Sequence, residues 1–319
     1  MLSAFLDNLT AILLVVPITL LLADLLRISP IPLVLVEVLA SNIGGTATLI
    51  GDPPNIMIGT ARPELSFLDF IVNLAPVSVF TLVVVTGGLA LLYRRQLRIA
   101  PERAGEVDRL DAAADMRDAP YVKRSLAVLL GTIVGFFLHA PLHIEPAVVA
   151  LVGATVMLLV AADDVEQALE RVEWATIFFF IGLFVMVGGL VEQGVIDRVA
   201  EGFADLTGGS RSLEALVILW GSAAGSAVVD NIPFTAAMIP VVDSLQADGF
   251  DDAAWWALAL GACFGGNATI IAAAANVAAS GVLERSGHPI SFVRFLLVGL
   301  PVTAVSLVIA TFYLLVFQL

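Results

Sequence analysis

Two short polar motifs interrupt an apolar sequence, and each motif occurs twice. The first is an Asp-Asn pair at residues 7–8 and again at residues 230–231. The second is a Gly-Gly-x-x-Thr break, found in NIGGTATLIGDPPN (residues 42–55) and in CFGGNATIIAAAAN (residues 263–276). Broken helices at membrane depth expose N–H groups that suit an anion, whereas free carbonyls and Asn, Asp and Thr oxygens suit Na⁺. The motifs therefore predict a site for a small ion or substrate.

The predicted site takes its residues from both copies of each motif. We predict that these residues bind substrate or ion: Asp7, Asn8, Thr10, Asn42, Gly44, Gly45, Thr46, Thr48, Asp52, Asn55, Asp230, Asn231, Thr235, Gly265, Gly266, Asn267, Thr269 and Asn276. Within that set, the possible Na⁺ ligands are Asp7, Asn8, Thr48, Asp230, Asn231 and Thr269. Na⁺ or H⁺ is expected as the coupling ion, and no other cofactor is expected. Any one residue could instead serve helix packing or capping, so the prediction depends on the recurrence in both halves.

The elements that must position these motifs are membrane-spanning helices. The chain has 319 residues, of which 59% are hydrophobic and 14% are charged, whereas a soluble domain carries about 25% charge. Apolar runs near 20 residues recur at 9–26, 70–93, 172–191 and 292–317, and each is long enough to cross a bilayer of roughly 30 Å. The fold class predicted is therefore an all-α polytopic membrane protein.

Composition and motifs exclude several classes of function. The single cysteine, Cys263, excludes an internal disulfide and a cluster of thiolates that would capture a soft metalloid. The net charge of −14 does not favour nucleic-acid binding. No P-loop motif occurs, so an ion gradient or a separate partner must supply the energy. We expect a protein that is not an enzyme and that works in the lipid bilayer.

The basic segment at residues 94–124 divides the chain. It carries eight of the 15 Lys and Arg residues and is predicted to be a cytoplasmic linker in a multi-pass plasma-membrane protein. Residues 1–93 then form a first repeat and residues 125–319 a second. Counting two short arms around residues 230–231 as a re-entrant hairpin leaves five crossings after the linker. An odd number of crossings predicts halves of inverted topology, as in many secondary transporters.

The two predicted repeats differ in length. About a hundred residues of the second half precede its Asp-Asn pair, whereas six residues precede the pair at 7–8. The first repeat is therefore expected to lack leading helices, and the reading frame upstream is expected to encode about three more spans.

Four segments resemble the ArsB/NhaD branch of the ion transporter superfamily. They are SAFLDNLTAILLVVPITL, ASNIGGTATLIGDPPNIMIG, VEWATIFFFIGLFVMVGGLVEQG and SAVVDNIPFTAAMIPVV, and they look most similar to P protein-like and ArsB-type members. The resemblance implies an N-terminally truncated, inverted-repeat, elevator-type transporter related to the citrate and dicarboxylate carriers. It places both Asp-Asn pairs at the tips of re-entrant hairpins.

The resemblance leaves the substrate open. It implies a secondary active transporter for a small anion or for a metalloid such as arsenite, coupled to an ion gradient. A Na⁺/H⁺ antiporter is the main alternative, because two Asp residues could exchange Na⁺ for protons. An intramembrane aspartyl protease using two of Asp7, Asp52 and Asp230 is a distant alternative, and a passive channel is another. The expected partners are the small ion substrate, the lipid bilayer, a second copy of the chain in a homodimer and, as a further option, a separate ATPase subunit.

Overall fold

The structure is a computed structural model, which describes residues 2–98, 119–161, 165–170, 172–247 and 252–319. Within these ranges the chain forms helices and no β-strand. The first four α-helices are α1 (Asn8–Leu26), α2 (Ile31–Gly45), α3 (Pro53–Ala61) and α4 (Phe67–Tyr93). The others are α5 (Ala119–Leu142), α6 (Pro146–Ala161), α7 (Val165–Glu170), α8 (Trp174–Glu192), α9 (Val195–Thr207), α10 (Arg211–Val228), α11 (Asn231–Ala247), α12 (Ala253–Gly265), α13 (Ala274–Arg285) and α14 (Phe292–Phe317). Two short 3₁₀-helices cover Leu2–Ala4 and Ile270–Ala272.

The apolar runs of the sequence form long helices. Five of the described helices, α1, α4, α5, α8 and α14, are long and apolar enough to cross a membrane. Helices α5 and α8 leave most of their apolar side chains exposed. In the most apolar 18-residue stretch of each helix, only 11% of the residues are buried in the protein. Exposed apolar surface of this extent is suited to lipid rather than water. These findings confirm the prediction of a helical, multi-pass membrane protein.

The centre of the protein is helix α12, in which every residue is buried. It packs so closely against α10 that a Cβ atom on Gly261 would lie 2.4 Å from the carbonyl oxygen of Leu219. Small residues allow this approach of two backbones, as they do in other membrane helix pairs. On another side of α12, Trp256 meets Phe70 of α4 edge to face, with ring centroids 5.2 Å apart. Helix α12 thus joins the two halves of the chain.

Helix α2 ends and α3 begins on the two sides of the first polar break. Helix α2 runs to Gly45, and α3 starts at Pro53, where proline is favoured because the first helical N–H needs no partner. The second break is built alike: α12 ends at Gly265, a 3₁₀ turn follows, and α13 starts at Ala274. The predicted interruptions are therefore present in both halves. The predicted linker lies mostly outside the described residues, since residues 99–118 are not among them.

Candidate functional site

Both Asp-Asn pairs lie at the start of a helix and line the same cavity. Asp7 caps α1, because its Oδ2 accepts a hydrogen bond from the backbone N–H of Thr10 at 3.2 Å. Asp230 precedes α11, and its Oδ1 accepts a hydrogen bond from the N–H of Ile232 at 2.9 Å. All four residues of the two pairs line a cavity of about 850 Å³. The structure thus brings together two copies of one motif from distant parts of the chain.

Four helix N-termini point into this cavity. The first residues of α1, α3, α11 and α13 all line it, and they are Asn8, Pro53, Asn231 and Ala274. Each N-terminus carries the positive end of a helix dipole, equivalent to about half a charge. The cavity is therefore lined by the starts of two helices from each half of the chain.

The threonines of the two breaks hold in place the segments before the two Asp-Asn pairs, which we call the first tip (Asp7 and Asn8) and the second tip (Asp230 and Asn231). The hydroxyl of Thr48 donates a hydrogen bond to the carbonyl oxygen of Ala4, just before the first tip. The hydroxyl of Thr269 donates to the carbonyl oxygen of Ala227 at 2.8 Å, just before the second tip. Neither threonine lines the cavity. These matched contacts fix each tip to the break of its own half.

Two serines next to these acceptor residues form a second matched pair of contacts. Ser3 donates to the carbonyl oxygen of Ser41 at 2.6 Å, and Ser226 donates to that of Ala262 at 2.7 Å. All four residues occupy corresponding places in the two halves. The sequence repeat is therefore also a repeat of contacts.

The side-chain amide of the last asparagine in each break donates hydrogen bonds to backbone carbonyls of the same break. Asn55 donates to the carbonyl oxygens of Thr46 and Thr48 at 3.0 and 2.8 Å. Asn276 donates to two carbonyl oxygens of the second break at 2.7 and 2.8 Å. Both side chains are fully buried. Because these amides satisfy carbonyls that an unwound helix leaves free, they stabilise the break.

Asn42 joins the two breaks. Its Nδ2 donates to Oδ1 of Asn267 and to Oδ1 of Asn276, both at 3.0 Å, and its Oδ1 accepts a hydrogen bond from Asn8 at 3.1 Å. The side chain is fully buried between the halves. Asn42 therefore connects the first tip to the second break.

Asp52 lies directly behind the tips. Its Oδ1 accepts hydrogen bonds from Nδ2 of Asn8 at 3.3 Å and from Nδ2 of Asn231 at 3.2 Å. The side chain is fully buried, and it does not line the cavity. The other oxygen, Oδ2, is buried without a hydrogen-bond partner among the described residues. This carboxyl group therefore contacts both tips but lies behind the cavity wall.

The remaining predicted residues support the backbone. Thr235 is buried and donates to the carbonyl oxygen of Asn231 at 2.7 Å. A Cβ atom on Gly45 would lie 2.4 Å from the carbonyl oxygen of Gly51, and one on Gly265 would lie 2.6 Å from a backbone oxygen of α10. Two more glycines of the predicted set are buried in the same breaks, Gly44 and Gly266. Glycine is needed where backbones meet this closely.

The sequence analysis did not identify Glu173, which is the third acidic residue of the cavity wall. It immediately precedes α8, and its Oε2 accepts a hydrogen bond from the hydroxyl of Thr176 at 3.0 Å. Three phenylalanines of the same helix, Phe179, Phe180 and Phe184, line the apolar side of the cavity. One feature of the sequence could have indicated Glu173: it is a single acidic residue directly before the apolar segment WATIFFF, which contains no charged residue.

The described cavity lining is acidic. It contains the carboxyl groups of Asp7, Glu173 and Asp230, and no Lys, Arg or His among the described residues. The basic residue that follows the lining segment of α3, Arg62, instead approaches Asp243 and Glu64, each at 3.4 Å. The helix N-termini are therefore the positive groups that face the cavity in the part of the chain that the structure describes.

Sequence comparisons agree with a transport protein. The family model described as "Citrate transporter" matches residues 1–261. A protein named "uncharacterized transporter" in Mycobacterium tuberculosis (strain H37Rv) is 44% identical over 316 residues, which cover 98% of this chain and 73% of that protein. The "46 kDa membrane protein" of Mycobacterium leprae is 41% identical over the same shares of the two chains. The human "P protein" is 33% identical over 99% of this chain and 47% of its own length.

Proposed function

The chain belongs to the citrate transporter family, and on that premise we propose that it is a secondary active transporter whose substrate site is the cavity between the two Asp-Asn tips. The observation that carries the proposal is the meeting of both tips and four helix N-termini at one cavity of about 850 Å³. Sites of this kind, formed by interrupted helices of two repeats, are typical of secondary transporters.

The proposed substrate is a small anion or a neutral metalloid hydroxide such as arsenite, moved together with Na⁺ or H⁺. Helix N-termini stabilise a negative group without a basic side chain. The carboxyl groups of Asp7 and Asp230 would hold the coupling ion near the same place. The apolar wall formed by α8 favours a compact solute that leaves few polar groups unpaired there.

We further propose that the two halves have inverted topology and that the site moves by an elevator-type motion. The matched contacts of Thr48 with Ala4 and of Thr269 with Ala227 support two equivalent hairpins. The basic segment 94–124 would face the cytoplasm of a plasma-membrane protein, and the working form would be a homodimer.

Na⁺/H⁺ antiport is the second candidate, and the acidic lining favours it. Three carboxyl groups face the cavity and no basic side chain does so among the described residues. Such a lining concentrates cations and repels free anions. In an antiporter of this kind, Asp7 and Asp230 would exchange Na⁺ for protons, and no organic or metalloid solute would be needed.

One experiment separates these two functions. The purified chain is reconstituted in lipid vesicles that contain a pH-sensitive dye, and uptake of radiolabelled citrate and arsenite is measured under a Na⁺ or a pH gradient. Solute uptake that is lost in Asp7→Asn and Asp230→Asn supports solute transport. Na⁺-driven proton movement without uptake of either solute supports antiport.

The matched control is Asp24→Asn, which removes an exposed carboxyl group at the far end of α1. This variant should transport like the unmodified chain. Uptake or antiport that is unchanged in both tip variants would show that the cavity is not the transport site.

A further inference from the structure

We propose that Asp52 is a positioning residue that sets which ion the tips accept, because it turns the amide oxygens of Asn8 and Asn231 into the cavity, where the coupling ion would bind. The inference rests on the proposed function in one respect, namely that the cavity between the tips is the binding site. It adds the class of ligand that the tips accept: a cation, or a solute that presents hydrogen-bond donors.

The first step is the direction of the two amide groups. Nδ2 of Asn8 and Nδ2 of Asn231 both donate to the same atom, Oδ1 of Asp52, at 3.3 and 3.2 Å. A side-chain amide has its donor and its acceptor on opposite branches of one plane. When both NH₂ groups are directed at Asp52, both oxygens must therefore point away from it.

The second step is what those oxygens meet. Among the described residues, no group donates a hydrogen bond to Oδ1 of Asn8 or of Asn231, yet neither oxygen is buried without a partner. Both residues line the cavity. The two amide oxygens are therefore the polar atoms that these residues present to the cavity.

The third step concerns Asp52 itself, which cannot take a direct part in binding. It is fully buried and absent from the cavity lining. Its position is rigid, because Pro53 follows it, and because a Cβ atom on the preceding Gly51 would lie 2.4 Å from the carbonyl oxygen of Gly45. Asp52 therefore acts through the two asparagines.

The surroundings of Oδ2 of Asp52 argue that this carboxyl group is not there for stability. Among the described residues no N–H or O–H group donates to Oδ2, and the buried thiol of Cys263 beside the carboxyl group is only a weak donor. A buried carboxyl oxygen with so weak a partner is destabilising, so stability alone would favour another residue. The titratable groups around it are Asp7 and Asp230 at the tips and the buried thiol of Cys263. At the corresponding place of the second half, Ala273 has no polar side chain, so one carboxyl group orients both tips.

The consequence is a set of oxygen acceptors at the tips. Asp7, Asn8, Asp230 and Asn231 all line the cavity, so the carboxyl groups of the two aspartates and the amide oxygens of the two asparagines supply acceptors to it. Hard cations such as Na⁺ bind oxygens of these kinds, and hydroxyl groups donate to them. A free anion would find no donor side chain on either tip.

The test uses ion binding at equilibrium and does not need transport. The chain in lipid nanodiscs is titrated with Na⁺ and, separately, with thiocyanate, and binding is followed by the shift in its unfolding temperature and by calorimetry. In Asp52→Ala the two amides are free to turn their NH₂ groups inward. We expect Na⁺ affinity to fall at least about tenfold and thiocyanate binding to appear, because donors replace acceptors.

Asp52→Asn is the conservative variant, because its amide oxygen can still accept from both asparagines. It should keep Na⁺ affinity within about threefold of the unmodified chain. Ser306→Ala is the control, since it removes a buried hydrogen bond of 2.8 Å within α14, a helix that contributes no residue to the cavity lining. It should leave both ion affinities unchanged. A purely structural role for Asp52 predicts weaker binding of both ions in Asp52→Ala and no gain for the anion.

A swap of donor and acceptor keeps the test decisive if Asp52→Ala does not fold. Asn231→Asp alone places a second carboxyl group against Asp52 and should abolish Na⁺ binding. Adding Asp52→Asn places an amide donor at position 52 against the new carboxyl acceptor at position 231, and this double variant should recover Na⁺ binding. Unchanged Na⁺ affinity in Asp52→Ala, or failure of the swap to recover binding, would overturn the inference. If the unmodified chain binds Na⁺ but moves no solute and no protons, the proposed function fails while the inference stands.

Discussion

Replacement of Asn42 by alanine removes the link between the two breaks. In the structure this side chain forms three hydrogen bonds, to Asn267, Asn276 and Asn8, at 3.0 to 3.1 Å. Cys263 occupies the position in the second half that corresponds to Asn42. The Cys263 thiol donates a hydrogen bond to Oδ1 of Asn55, with Sγ and Oδ1 3.7 Å apart. The two residues are equivalent in the repeat, and both are fully buried. Comparing Asn42→Ala with Cys263→Ala therefore isolates the effect of the amide.

The expected difference in the free energy of unfolding follows from the contacts. Three hydrogen bonds at about 0.5–1.5 kcal/mol each give about 1.5–4.5 kcal/mol. Loss of Asn42 also leaves Oδ1 of Asn267 buried without its partner, which adds about 1–3 kcal/mol. We expect Asn42→Ala to cost about 2.5–7.5 kcal/mol and Cys263→Ala about 1 kcal/mol, because a thiol is a weak donor.

The measurement is the unfolding midpoint in detergent micelles titrated with a denaturing detergent. Fluorescence of the buried Trp255 and Trp256 reports the transition, since both side chains lie in the core at α12. The reasoning is refuted if the two variants lose equal stability, or if Cys263→Ala loses more. Either result would mean that the hydrogen bonds of Asn42 do not hold the halves together.

Two further predictions concern single positions. Gly51→Ala should lower the unfolding temperature and block ion binding at the tips, because the new Cβ would lie 2.4 and 2.5 Å from two backbone oxygens. Gly87→Ala is the control and should be tolerated, because the space around Gly87 is open. Thermal melts of both variants test this prediction, and equal melting temperatures would contradict it. Glu173→Gln should weaken Na⁺ binding about two- to threefold in low salt and less in high salt, because it removes a carboxyl group from the cavity wall. Glu192→Gln, at the other end of α8, should not change Na⁺ binding. Calorimetric titration of Na⁺ at two salt concentrations measures both effects, and an equal loss in the two variants would count against a role for Glu173.

Much of the fold follows from the sequence by simple rules. Apolar runs of about 20 residues predict the long helices, and polar residues with Gly and Pro inside such runs predict where the helices break. The structure confirms the breaks, because α2 and α12 end at Gly45 and Gly265, and it shows helices that begin at Asn8 and Asn231. These features are local, because each depends on a few neighbouring residues.

The partners of the polar residues were not predictable in the same way. Sequence alone placed Thr48 and Thr269 among possible ion ligands, but in the structure their hydroxyl groups donate to the carbonyl oxygens of Ala4 and Ala227. Which group a buried hydroxyl contacts depends on how helices from distant parts of the chain approach one another, and spacing along the chain does not determine that. Glu173 was not predicted for the same reason, because its place in the cavity wall depends on how α8 packs against the rest of the protein.

The two halves bring different chemistry to the same cavity, although their backbones are alike. Helix α3 begins with Pro53 and Pro54, which have no N–H to donate, and Asp52 precedes them. Helix α13 begins with Ala274 and Ala275, which keep their N–H groups, and no side chain caps them. Both halves therefore contribute carboxyl groups to the cavity, Asp7 from the first and Glu173 and Asp230 from the second, whereas the start of α13 adds free backbone donors that the start of α3 lacks. A cavity with this polarity can hold a cation at its carboxyl groups and a negatively polarised group at the start of α13.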